Sequence, residues 1–410
     1  MELFRRENYL KRIRGFYHDS EIIKVITGVR RCGKSSLMKI IAKELIESGV
    51  SEKNIVFLNL DSHGYKSIKT PENLEAIIDK VTANVEGLKY LFIDEIQNVK
   101  NFEETINAYR EDDEFSIFIT GSNSYLLSGE LITKLTGRYI EFEISTLSFE
   151  EYIKMKKFYH LEVSLNLKDE FDQYILNGGF PKSIFYSSLE DKQTYIRSIV
   201  QEIFEKDIKQ RVKIKNMSVF QKVQTYLINN FGTTTSLSNI LTELRKGGMS
   251  IKRETLNRYI QILIDSKILM ECKRFDLKTK KSINGEQKYY LTDLSFYFLT
   301  NPNNTINYGT SLENIVYNYA KSKNYNISIG RIGKLECDFI LRSPFMDYSY
   351  VQVCMTYMNS HETEDREYRP LEMIKDNYPK YILTRDDPIQ KRSGIITKRI
   401  PEMMAKGELF

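Results

Sequence analysis

Through the first third of the chain, short apolar runs alternate with amphipathic stretches. Ile22–Thr27, Ile55–Leu60, Leu91–Ile93, Ser116–Thr120 and Tyr139–Ile144 are rich in β-branched and aromatic residues, and polar or glycine-containing turns bound them. Runs of this length and composition read as buried strands. Between them, apolar residues recur at helical spacing, most clearly in Ser36–Leu45. Strands alternating with helices predict an α/β fold with a doubly wound parallel sheet, and a ligand at the carboxyl ends of its strands.

The pattern then changes. From Ser145 to about Lys215 the spacing is helical throughout, and Gly178-Gly179-Phe180-Pro181 splits it into two blocks. Within it, Glu205, Lys206, Asp207 and Lys209 read as a solvated helical face. Residues 216–300 read as a winged helix: helices over Val219–Asn230, Asn239–Arg245 and Ile251–Asp265, then wing strands at Leu269–Cys272 and Lys288–Leu291. Asn301-Pro302-Asn303-Asn304-Thr305 is the clearest linker, and an α/β segment follows it. The expected division is an α/β core over 1–145, a helical lid over 146–215, a winged helix over 216–300 and a further α/β domain over 301–410.

Composition narrows this picture only slightly. The 410 residues are 41% hydrophobic and 28% charged, with a net charge of +5, so overall charge does not demand a nucleic-acid partner. The first ten residues carry charges throughout and resemble no signal peptide, and no run of about 18 uncharged apolar residues is present, so a cytoplasmic protein without a membrane span is expected. Cys32, Cys272, Cys337 and Cys354 are scattered with no C-x-x-C, which argues against a disulfide framework and structural zinc.

The chemistry concentrates at strand ends. Gly28-Val29-Arg30-Arg31-Cys32-Gly33-Lys34-Ser35 fits G-x-x-x-x-G-K-[ST] and lies between a predicted strand and a predicted helix that opens with Ser36. Its glycines let backbone N–H groups curl around phosphates at a helix N-terminus. Lys34 is expected on the β- and γ-phosphates of ATP and Ser35 on Mg2+, with Arg30, Arg31, Cys32 and Ser36 as further loop positions. Leu91-Phe92-Ile93-Asp94-Glu95 has the form of a Walker B strand: Asp94 is the second Mg2+ residue, and Glu95 orients the attacking water. Asn123 or Ser122, after the strand Ser116–Thr120, is a candidate sensor of the γ-phosphate, and Arg138 before the last strand is a candidate finger or sensor, in cis or from a neighbouring subunit.

Together, Gly28 to Ser35, Asp94-Glu95-Ile96-Gln97, Thr120-Gly121-Ser122-Asn123 and Gly137-Arg138 resemble a large prokaryotic family of AAA-like ATPases that carry a C-terminal domain of unknown function. Leu176-Asn177-Gly178-Gly179-Phe180-Pro181 and Val200 to Ile208 look like further markers of that family, so the resemblance spans nearly the whole chain. It implies ATP binding by an AAA-type core followed by a helical lid. Cys32 stands where the family often has a small or aliphatic residue.

In the C-terminal part, Lys252, Arg253, Arg258, Lys273, Arg274, Lys278, Lys280 and Lys281 are candidate phosphate contacts and Asn257 a candidate base contact. A winged helix with such cations fits duplex DNA or a protein partner. Glu313, Asp338 and the strand with Gln352 and Cys354 look like a restriction-endonuclease fold with a PD-(D/E)xK site. That site needs a second carboxylate and a lysine where Gln352 and Cys354 stand, so nuclease activity is not expected. The expected function is Mg2+-dependent ATP hydrolysis coupled to partner contact, with oligomeric state open. The alternatives are a slow nucleotide-gated switch and an ATP-regulated nuclease.

Overall fold

The computed structural model describes residues 2–121, 135, 137–209, 213–279, 281–301, 306–358 and 361–410, those at 281–285 by backbone alone. The chain divides into two compact units, Met1–Ser145 and Thr146–Phe410. Asn123 and Ser122 lie outside the described residues.

In the first unit, β1 (Ile23–Gly28), β2 (Ile55–Asn59), β3 (Lys89–Asp94), β4 (Phe115–Thr120) and β5 (Tyr139–Ile144) form one parallel sheet in the order β2-β3-β4-β1-β5. β1, β3 and β4 are buried from end to end, which is why their sequences read as unbroken apolar runs. One face carries the stacked rings of Phe57, Phe92 and Phe118, and the other packs Val25, Leu91, Ile93, Ile117 and Ile119 into the main core cluster. The helix Lys34–Glu47 follows β1 directly and buries Leu37, Met38, Ile41 and Leu45. The chain leaves β1 for β2 on one side, and β5 returns on the other, so strand order reverses at β1. Ligand crevices in open α/β sheets form at such a point.

The second unit begins with the helices Phe149–Phe158, Leu167–Asn177 and Leu189–Glu202. A capping box between Ser148 and Glu151 starts the first of them. The glycine pair that separates these helices is needed for close approach. A Cβ on Gly178 would lie 1.8 Å from Asp293 Oδ1, and one on Gly179 2.3 Å from the Leu147 carbonyl oxygen. The Gly179 N–H donates to Asp293 Oδ2 at 2.8 Å. The stretch Ile203–Lys209 winds as a π-helix, and here the sequence reading needs correction: Asp207 is buried, whereas Glu205 and Lys209 do form an exposed ion pair. Asp207 lies four residues after the buried Ile203 and shares its side of the helix, about half a turn from Glu205.

Helices Met217–Asn229, Leu237–Lys246 and Arg253–Asp265 follow, then the hairpin of β6 (Leu269–Asp276) and β7 (Lys281–Leu291). β6 also pairs in parallel with β8 (Asn326–Ile332), so the hairpin is the edge of an eight-stranded sheet. That sheet continues through β9 (Leu335–Arg342), β10 (Tyr348–Val353) and β11 (Lys380–Thr384) to β13 (Ile395–Arg399) and β12 (Lys391–Arg392). Among the described residues, no helix is long and apolar enough to cross a membrane.

Candidate functional site

The carboxyl end of β1 runs into the loop 28–35. Gly28 has φ +141°, and a Cβ there would lie 2.1 Å from the Ile144 carbonyl oxygen, so only glycine lets the loop leave beside β5. Gly33, with φ +110°, is the N-cap of the helix Lys34–Glu47, and no side chain caps that end. The first N–H groups of the helix therefore face whatever enters the loop. Lys34 is buried and donates to the carbonyl oxygens of Gly28 and Val29 at 3.0 and 3.3 Å, which curls the loop around its ammonium. Ser35 is half-buried, Ser36 and Arg31 are exposed, and Arg30 is half-buried. Cys32 is fully buried with its thiol against Gly28; it contributes backbone, and burial pushes its pKa up.

Two strands away, β3 ends at Asp94, which is 2% exposed. Thr120, at the tip of β4, donates its hydroxyl to Asp94 Oδ1 and accepts the Glu95 N–H at 3.1 Å. One hydroxyl thus fixes both acidic positions. Glu95 has left-handed backbone geometry, φ +61°, an uncommon conformation for a non-glycine residue and one that clusters at functional sites. Its carboxylate accepts the Gln97 side-chain amide. Sequence reasoning missed Thr120 and Gln97 as site residues. A polar residue closing the apolar strand Phe115–Thr120 was the available signal.

These groups suit a magnesium nucleotide. The loop offers the backbone N–H groups of a helix N-terminus and an ammonium, and Ser35 and Asp94 carry the kind of oxygen ligand that Mg2+ prefers. Arg138, however, does not join them. It precedes β5, whose first residue is level with Ile23, and its carbonyl accepts the Ile23 N–H at 2.9 Å. Five strand residues, about 16 Å, separate that end from the phosphate loop. The Arg138 guanidinium donates to Asn107 at 3.2 Å and lies 3.9 Å from Glu111. A parallel sheet puts the amino end of every strand at the edge opposite its carboxyl end, so Arg138 cannot serve its own chain's loop as a cis sensor.

The other acidic constellation lies in the eight-stranded sheet. Lys288 on β7, with only 6% of its side chain exposed, bonds Glu313 at 2.6 Å and Glu336 at 2.9 Å. Tyr290 donates to the same Glu313 oxygen, and Arg274 pairs with Glu336 and Glu286. Asp338 accepts the Val353 N–H at 2.7 Å; its own N–H reaches Gln352 Oε1 at 3.4 Å, and the Gln352 amide donates to Glu367 at 3.1 Å. Burial opposes charge on Lys288, but Glu313, Asp338 and Glu336 outweigh it and hold the ammonium's pKa above its usual value. Burial, then the Glu313 charge, push Asp338 well up. Cys354 is buried, and burial raises its thiol pKa too. Among the nuclease-like residues read from the sequence, Asp338 and Gln352 meet directly. The lysine beside Glu313 comes from the hairpin rather than from the strand carrying Gln352.

Residues 20–153 match a family model described as an AAA domain, and residues 168–302 one described as a domain of unknown function (DUF8612). The chain is 33% identical over 381 residues, 92% of each chain, to an uncharacterized protein of Haemophilus influenzae. It is 29% identical over 365 residues to one of Methanocaldococcus jannaschii, covering 86% of this chain and 79% of that one. A Walker-type ATPase structure from Pyrococcus abyssi aligns at TM-score 0.53 and 15% identity, covering 73% of this chain and 96% of that chain, which is a likeness of fold. With a parallel sheet and a phosphate loop at the carboxyl end of β1 inside the stretch that matches an AAA domain, the chain belongs to the same family as the uncharacterized Haemophilus influenzae protein.

Proposed function

We propose that the protein is an Mg2+-dependent ATPase that uses hydrolysis to change how its second unit contacts a partner. The observation that carries this reading is the Thr120 hydroxyl, which ties Asp94 and the Glu95 backbone together beside the loop of Lys34 and Ser35. In this reading the loop N–H groups and Lys34 hold the ATP phosphates, Ser35 and Asp94 hold Mg2+, and Glu95 orients the lytic water. The Gln97 amide keeps the Glu95 carboxylate in place until a substrate competes for it. Arg138, exposed at the opposite edge of the sheet, acts only in trans, as a finger offered to a neighbouring copy.

Duplex DNA is the partner we favour. Lys252, Arg253, Asn257 and Arg258 are exposed on or just before the helix Arg253–Asp265, and Lys278 is exposed in the hairpin turn. Arg274 is already engaged by two carboxylates and drops out of the candidate phosphate contacts. The second reading, a slow nucleotide-gated switch, draws on the Glu95–Gln97 contact, because a carboxylate engaged by an amide is less available to water. Cutting of DNA is not part of either reading, since the Gln352 amide is engaged and Cys354 offers no ammonium.

Turnover measured with duplex, with single strands and without DNA separates the readings. An ATPase coupled to DNA accelerates with duplex, whereas a switch turns over slowly in all three. Lys34→Ala abolishes nucleotide binding, and Glu95→Gln binds ATP but nearly stops hydrolysis. Parental turnover in Glu95→Gln would remove Glu95 from the mechanism.

A further inference from the structure

A buried arginine outside every motif holds the phosphate loop to the place where the chain leaves the first unit. Arg6, 5% exposed, is the N-cap of the helix Glu7–Ile13. Its Nη1 donates to the carbonyl of Cys32, inside the loop, at 3.0 Å and to the carbonyl of Ser145, the last residue of the first unit, at 2.8 Å. The guanidinium lies over the Tyr9 ring, 4.6 Å from its centroid. The Tyr9 hydroxyl accepts the Ser145 N–H at 3.1 Å. Both backbone polar groups of Ser145 are thus held by one N-terminal turn. A second and independent contact joins the same two places: Gly28 is in register with Ile144, so close that no Cβ fits between them.

The peptide unit explains what this does. The Cys32 carbonyl and the Gly33 N–H belong to one planar trans group and point to opposite sides of the chain. An arginine that holds the carbonyl on one side therefore sets the direction of the Gly33 N–H on the other, where a phosphate would be received. When that N–H turns toward a phosphate, the plane tilts and the carbonyl moves against Arg6. The same nitrogen passes the displacement to Ser145.

We propose that Arg6 is a positioning residue that orients the Cys32–Gly33 peptide for phosphate and couples nucleotide binding in the loop to the chain's exit at Ser145. This rests on the reading of the loop as an ATP site. It uses the full chain, a fluorescent ATP analogue to read affinity, and hydrogen exchange of a peptide spanning residues 142–148, with and without ATP. In the parent, nucleotide changes exchange at the Ser145 amide about tenfold. Arg6→Met should bind the analogue about tenfold more weakly and, at saturating ATP, lose the exchange response. Tyr9→Phe keeps the Arg6 bonds, so it should retain parental affinity while its Ser145 amide exchanges faster in both states. Parental affinity together with a parental exchange response in Arg6→Met overturns the inference. If Arg6→Met fails to fold, Arg6→Gln decides: its amide nitrogen ends two bonds short of Nη1 and reaches neither carbonyl, and an undiminished response at Ser145 counts against the coupling. A parent chain that binds no ATP analogue sinks the ATP reading itself, a separate result from a parent that binds while both Arg6 variants behave like it.

Discussion

The phosphate-loop end of the five-stranded sheet and the carboxylate cluster of the eight-stranded sheet are built from the same side chains to opposite effect. Each has a buried lysine, carboxylates and a hydroxyl. At the loop, Lys34 is held by neutral carbonyl oxygens, and a helix N-terminus stands without a side-chain cap, so positive potential is left over for a phosphate. In the other sheet, Lys288 sits between Glu313 and Glu336, Tyr290 bonds Glu313, and Arg274 bonds Glu336. That cluster neutralises itself. A site competent to bind keeps part of its electrostatics unspent, and a structural network spends it internally.

The sharpest way to break this contrast is to remove each lysine. Lys288→Met leaves Glu313 and Glu336 buried without their shared cation, and breaking a buried pair from one side costs about 3–5 kcal/mol. We expect a large drop in the denaturation midpoint and unchanged ATP affinity. Lys34→Ala should do the reverse, losing nucleotide binding with little change in stability. A stable Lys288→Met chain would mean that the cluster is not structural.

Next in size, Glu95→Gln should lower turnover about a hundred- to a thousandfold, the range for a group that acts on the transition state. Thr120→Val removes one hydroxyl that makes a hydrogen bond to each of Asp94 and Glu95, and should lower turnover by about ten- to a hundredfold, two lost hydrogen bonds of about 0.5–1.5 kcal/mol each. Single-turnover hydrolysis checks both, and equal rates in Thr120→Val and parent would detach Thr120 from the site.

A pH-dependent effect should appear on the buried face of the first sheet. Lys24 donates to Ser116 at 2.8 Å and lies over Phe118, and burial pulls its pKa down to about 7 while Asp19 opposes the fall. Its unfolded value is near 10.4. The unfolded chain therefore binds more protons between about pH 7 and pH 10, and stability rises with pH across that window by at most about 1.4 kcal/mol per unit, being lost as pH falls through 7. Lys24→Met should flatten this part of the stability profile, and urea midpoints at pH 6.5, 8 and 9.5 measure it. The smallest effect belongs to the hairpin. Replacing Lys278, Lys280 and Lys281 with Ala should weaken duplex binding and reduce the salt slope by about one unit per lost phosphate contact. Unchanged affinity moves the partner to the protein class.

Much of the fold was legible because local physics decides it. Strands buried on both faces need unbroken apolar runs, so β1, β3 and β4 could be read within a residue or two, and the half-buried edge strands β2 and β5 kept enough apolar and β-branched residues to be read as well. The phosphate loop was equally plain, because its glycines meet steric demands that no other residue satisfies. Strand tips were harder. Thr120 becomes a site residue only because β4 lies beside β3, and that neighbour relation is not written locally.

The sequence alone therefore determined the elements, the loop with Lys34 and Ser35, and the acidic end of β3, since each depends on residues close together in the chain. Only the tertiary structure decided which charges are spent and which are free. It took Arg138 to the wrong end of its own sheet, buried Asp207 in a π turn, gave Lys288 to Glu313 and set Arg6 against the loop. Those outcomes depend on strand order and on contacts between residues 25 to 139 positions apart, where neither spacing nor propensity carries information.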